Sequence, residues 1–156
     1  MKKVIIAMVL FASVMFSVQS QNIARNALGL RLGDNNGFGT EISYQGELSE
    51  YNRIEVDLGY RSQGNENSNN KNNAFKLTGL YQWVWNIDGG FNWFAGFGGG
   101  IGDRSTDGFF VNADGVVGIE YDFDFPLLIS LDFRQEFGLT GDYDGSDIAL
   151  SLRYQF

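Results

Sequence analysis

Carboxylates two residues apart on an extended chain share one face, and this chain repeats that spacing with basic residues interleaved. Asp132, Arg134 and Glu136 form one such set, and Asp114 and Glu120, six residues apart, share one face of another run. Paired carboxylates could act as general acid and base. The same residues beside Arg31, Arg53 or Arg153 could instead form a paired charge network, and the interleaving favours that structural use. The chain has no His and no Cys. This removes Ser-His-Asp triads, thiolate nucleophiles and the usual zinc ligands. Asp142, Asp144 and Asp147 lie on one Gly-containing segment and could offer oxygen ligands to Ca²⁺, although their spacing is not that of an EF-hand. The Gly96–Gly102 run lacks the Lys-Ser/Thr of a phosphate loop, so tight packing is the better account of it. No catalytic residue, cofactor or resident metal is expected.

Composition sets the frame for these residues. Of the 156 residues, 44% are hydrophobic and 15% aromatic, enough apolar surface for a folded domain and too much for a disordered chain. The net charge of −8 argues against nucleic acid as a partner, because phosphate neutralisation needs clustered Lys and Arg.

Residues 1–20 carry Lys2 and Lys3, then an uncharged run from Val4 to Val18, then Gln19-Ser20. That order is the charge, apolar core and small-residue site of a cleaved secretory signal peptide, with cutting after Ser20. The run is shorter than the roughly 20 residues of a spanning helix. Residues 21–156 form the expected mature domain.

Within that domain the apolar residues recur with period two. Eight runs stand out, at about 26–33, 38–46, 51–61, 74–85, 91–102, 109–121, 127–139 and 147–156. Each divides into two faces. Leu28, Leu30 and Leu32 oppose Ala27, Gly29 and Arg31; Ile54, Val56 and Leu58 oppose Arg53, Glu55 and Asp57. Leu127, Ile129, Leu131 and Phe133 oppose Ser130, Asp132 and Arg134; Ile148, Leu150, Leu152 and Tyr154 oppose Asp147, Ala149, Ser151 and Arg153. One face carries no charge. The other gathers Arg31, Glu41, Arg53, Glu55, Asp57, Arg61, Lys76, Asp114, Glu120, Asp132, Arg134, Glu136, Asp147 and Arg153.

Alternation alone fits two cylinders. A soluble barrel turns the apolar face inward, and a membrane barrel turns it to lipid. Four features favour lipid. Gly29, Gly39, Gly59, Gly96, Gly98, Gly100, Gly102 and Gly118 fall on the charged face, where a narrow interior needs small neighbours for long Arg and Glu. Aromatics gather at run ends: Tyr44, Trp83, Trp85, Phe91, Trp93, Tyr121, Phe123, Phe125, Tyr154 and Phe156 at one rim. Phe38, Tyr60, Phe75, Phe109, Phe110 and Phe137 fall at the other, giving the two bands expected at bilayer interfaces. Most runs approach the length of tilted spanning strands. Connectors alternate between tight turns and longer polar segments, of which the Asn-rich 62–73 is the longest. The expected fold is all-β: an eight-stranded antiparallel up-and-down transmembrane β-barrel with a polar, side-chain-filled interior. An Arg at Leu131 or Val117 is expected to cost more than one at Ser130, unless the lumen is too full to take it.

At the end of the sequence, Ile148-Ala149-Leu150-Ser151-Leu152-Arg153-Tyr154-Gln155-Phe156 alternates and stops on an aromatic. With the eight runs, this resembles the small eight-stranded bacterial outer-membrane barrels of the OmpA-transmembrane and OmpX type, over all of 21–156. The resemblance implies that Leu150, Leu152, Tyr154 and Phe156 act as the signal read by the barrel-insertion machinery. It implies outer-membrane lipid, lipopolysaccharide, the barrel-assembly machinery and periplasmic chaperones as partners, and a monomer in the cell outer membrane. Lipid-modifying barrels of this size resemble Ser-His-acid or His-dependent designs, which a chain without His cannot build. The implied function is structural or surface-interacting and not enzymatic. A narrow ion or small-solute channel and a soluble exported lipocalin-like binding barrel remain as alternatives.

Overall fold

The computed structural model describes residues 25–34, 39–64, 71–104, 108–140 and 144–156, with backbone alone for 61–64, 71–73 and 144. The proposed signal peptide lies outside the described residues. Eight strands follow one another: β1 Asn26–Gly33, β2 Thr40–Ser49, β3 Asn52–Gly64, β4 Lys71–Asp88, β5 Phe91–Arg104, β6 Gly108–Asp122, β7 Leu127–Thr140 and β8 Asp144–Gln155. Each pairs antiparallel with its sequence neighbours, and β1 pairs with β8 to close the barrel. Closure leaves no open sheet edge, the condition for strands to cross a bilayer.

The pairing is staggered. A path through paired residues from Leu28 runs by Tyr44, Val56, Gly79, Gly99, Ala113 and Phe137 to Asp144. It arrives above the top of β1, whose last partner on β8 is Ala149. This offset is the shear of tilted strands, which for eight strands leaves an interior that side chains alone can fill.

Strand cores agree with the period-two pattern, but the hairpins are taller than expected. The β3–β4 ladder continues to Gly64↔Lys71, so only 65–70 of the long polar connector lies between strands. The reason is that ladder hydrogen bonds join backbones, and an Asn-rich stretch beyond the apolar belt can still make them. At the opposite end the turns are tight. Gly89 takes φ 53° between β4 and β5, and the Asn86 side-chain amide donates to the Gly89 carbonyl at 2.8 Å. Pro126, with no amide to offer, sits in the bend before β7.

The two faces decide the setting. Leu30, Val56, Leu131 and Leu150 point outward and are 37–47% exposed, whereas Arg53 and Asp132 are 2–3% exposed in the interior. The soluble orientation is therefore excluded. One rim carries a linked aromatic belt: Trp85 stacks on Trp93 with centroids 4.3 Å apart, and Phe91, Tyr121, Phe123 and Phe125 follow edge to edge or tilted. At the other rim Tyr60, Phe75, Phe109 and Phe137 face outward. Phe110 does not join them. It turns into the lumen, over the space left by Gly102, with the Arg104 guanidinium 5.1 Å from its ring centroid. Next to Phe109, alternation sends one of the two rings inward. Phe38 lies outside the described residues.

Candidate functional site

The lumen is where the chain gathers its chemistry. Every interior charge expected from the sequence whose side chain is described is buried there, thirteen in all. Arg61 lies outside the described side chains. Residues far apart in sequence meet because inward positions of opposite strands face one another across a narrow cylinder.

Nearest the aromatic belt, Arg53 on β3 pairs with Glu120 on β6 at 2.7 Å and donates to the Gln82 Oε1 at 2.7 Å. Its guanidinium also sits 4.9 Å from the Phe94 ring centroid. Phe94 packs with Leu80, Val84 and Val116 as an apolar plug within the charged lumen. Beside it, Arg153 on β8 pairs with Glu55 on β3 at 3.1 Å and donates to Ser43 and Ser130. Glu55 accepts a further bond from Gln45 at 2.6 Å.

Above these, Arg31 holds three carboxylates: Glu41 at 2.7 Å, Asp132 at 2.6 Å and Asp147 at 2.5 Å. Arg134 on β7 reaches across to β3, pairing with Asp57 and with Glu55 at 3.2 Å, and lies 3.6 Å from Glu41. Lys76 pairs with Glu136. Asp114 accepts from the Asn112 amide and has no ion-pair partner among the described residues. Such desolvated charges are tolerable only because they are paired and hydrogen-bonded.

The carboxylates weighed for acid–base chemistry are thus separately engaged: Asp132 by Arg31, Glu136 by Lys76, Glu120 by Arg53 and Asp114 by Asn112. Of the Ca²⁺ candidates, Asp147 points inward, bonded to Arg31 and to the Asp34 amide at 2.9 Å, which takes it away from a loop site. Asp142 and the Asp144 side chain lie outside the described residues. No metal-binding group of three acidic side chains occurs among the described residues. On β8 Leu150, Leu152 and Tyr154 project outward, as does Phe156 just beyond it, in one lipid-side row 42–63% exposed.

Ser43, Gln45, Gln82, Asn92, Asn112 and Ser130 fall on the charged face by period two and are buried as that implies, but the sequence does not foretell their hydrogen bonds to the charges. Their phase, in step with the charged residues, was the available signal. Leu80, Phe94 and Val116 share the same inward phase, which gives no sign by itself that they form a plug.

No family model matches the chain, and no curated protein does. Solved structures do. Neisserial surface protein A is similar over 84% of this chain and 94% of its own, with a TM-score of 0.60 at 9% identity. The attachment invasion locus protein Ail of Yersinia pestis is similar over 84% of this chain and 96% of its own, with a TM-score of 0.54 at 12% identity. A designed transmembrane β-barrel gives 0.57 at 12% identity, over 88% of this chain and 100% of that one. At such identities the likeness is one of fold. With its closed antiparallel ladder, apolar exterior and ion-paired lumen, the chain has the fold of the small eight-stranded outer-membrane β-barrels.

Proposed function

We propose that the chain is an integral protein of the cell outer membrane, a monomeric barrel with a structural or surface-interacting role and no catalytic one. The observation that carries this reading is the inversion of faces, lipid-seeking side chains outside and a closed charge network within. Outer-membrane phospholipid and lipopolysaccharide are the partners that the apolar belt and its aromatic rims fit. The barrel-assembly machinery and periplasmic chaperones would serve its biogenesis, with the row Leu150, Leu152, Tyr154 and Phe156 as the segment offered to them.

The plug of Leu80, Val84, Phe94 and Val116, stacked on the ion-pair layers, supports a sealed lumen over a channel. Ail has been solved with the heparin analogue sucrose octasulfate. Here Arg104 is the one cation near the Phe109 rim among the described side chains apart from the buried ion pairs, which gives little support for polyanion binding.

Fractionation of expressing cells tests the reading. The protein is expected in the outer-membrane fraction, extracted only by detergent and migrating faster on gels when unheated. Recovery from the soluble fraction would overturn it. In planar bilayers, conductance above a protein-free control would replace the sealed barrel with a channel.

A further inference from the structure

The lumen is short of positive charge at one place. Among the described side chains it buries five cations and eight carboxylates. Among the described residues Asp114 is the buried carboxylate with no ion pair, while Lys76, whose charge acts on it, pairs with Glu136. Oδ2 of Asp114 has no hydrogen-bond partner. Two neighbouring oxygens are in the same condition, Oδ1 of Asn112 and Oγ1 of Thr78, on side chains 2% and 0% exposed.

The Asn112 and Thr78 oxygens border one notch, and Asp114 adjoins it through its bond from the Asn112 amide. Thr78 pairs in register with Gly100, and Gly100 with Asn112. From the position that a Cβ would take on Gly100, Asn112 Oδ1 is 2.8 Å away and Thr78 Oγ1 is 3.1 Å away. The orientation of Asn112 is fixed by chemistry. An ionised carboxylate only accepts, so the amide nitrogen faces Asp114 and the carbonyl oxygen is left facing Gly100. A Cβ on Gly100 would crowd both oxygens, so the glycine keeps a side chain out of the notch they line.

We propose that the lumen beside Gly100 binds one hard monovalent cation, sodium or potassium, through Asp114, Asn112 and Thr78. All three offer oxygen, which suits a hard ion. One carboxylate balances one charge, whereas a calcium site takes six to eight oxygens with several carboxylates among them. Phe110, the next inward residue of β6, stands between the site and the rim, which accounts for the burial of its oxygens.

The test uses the barrel refolded in zwitterionic detergent, its thermal unfolding followed by tryptophan fluorescence and by gel mobility. Sodium, potassium and choline chlorides are compared at equal ionic strength. The wild type is expected to show a saturable rise in Tm with sodium or potassium and none with choline. D114N, T78V and G100A, which remove the charge, one oxygen or the space, are each expected to lose that ion-specific rise. Equal Tm values in all three salts would overturn the proposal and leave a bound water only. So would a Tm that climbs on acidification with no ion dependence, which would put a proton on Asp114, faced as it is by Lys76, Glu136 and Arg134. An undiminished sodium or potassium effect in the variants would also overturn it.

Discussion

The Phe94 ring occupies the space that a side chain at Gly118 would need, so the plug of the barrel rests on a missing Cβ. Gly118→Ala is expected to destabilise by about 1–3 kcal/mol through overpacking. Phe94→Ala is expected to lose about 3–5 kcal/mol by opening a cavity. Because the two sites touch, Gly118→Ala combined with Phe94→Leu should cost less than the sum of the separate changes. Urea unfolding in lipid vesicles, with Phe94→Leu alone included to close the cycle, reads all four variants.

The exterior is set against lipid, and a charge there is penalised by depth. Val117→Arg or Leu131→Arg is expected to cost about 2–4 kcal/mol near mid-span. Val117→Phe should be close to neutral. Ser130→Arg, on the other face, is not the mild change that a polar interior suggests. Ser130 is 1% exposed and accepts from Arg153 at 2.9 Å, so a second guanidinium has neither room nor a free carboxylate there. The same unfolding assay, comparing the variants, checks this.

Arg134 is the cation that ties β7 to β3 across the lumen. Removing it with Arg134→Met leaves Glu55 and Asp57 short of a partner, at an expected cost of about 3–5 kcal/mol. Changing Asp57→Asn alongside it should recover part of that loss, because one uncompensated charge goes with it. A double-mutant cycle by chemical unfolding gives the coupling.

Trp85 and Trp93 pair in register across the β4–β5 ladder and stack at the rim. Their coupling is expected at about 0.5–1.5 kcal/mol beyond area burial. Single and double substitutions to Leu, followed by unfolding in vesicles, measure it.

Much of this molecule was legible because period two is a one-dimensional signal. Which face carries Arg31, Glu55 or Asp132 follows from counting along a strand, and the structure places all three inside. What counting cannot give is the partner. Arg31 finds Asp132 and Asp147 more than a hundred residues away, and Lys76 finds Glu136 across the lumen. Those meetings depend on the stagger, which is a property of the closed sheet. The height of the β3–β4 hairpin was hidden for another reason: Ser62, Gln63, Asn72 and Asn73 read as loop by composition, yet their backbones pair. Phe110 was misplaced at a rim because two adjacent Phe residues give no hint of which one turns inward.

The seam between β1 and β8 joins the first and last strands, with the Phe156 amide donating to the Asn26 carbonyl at 2.9 Å. Until the final hairpin arrives, both margins of the growing sheet present bare donors and acceptors to oil. Without β8 the sheet has two raw borders and no closure, so in a bilayer the last strand is what removes both at once.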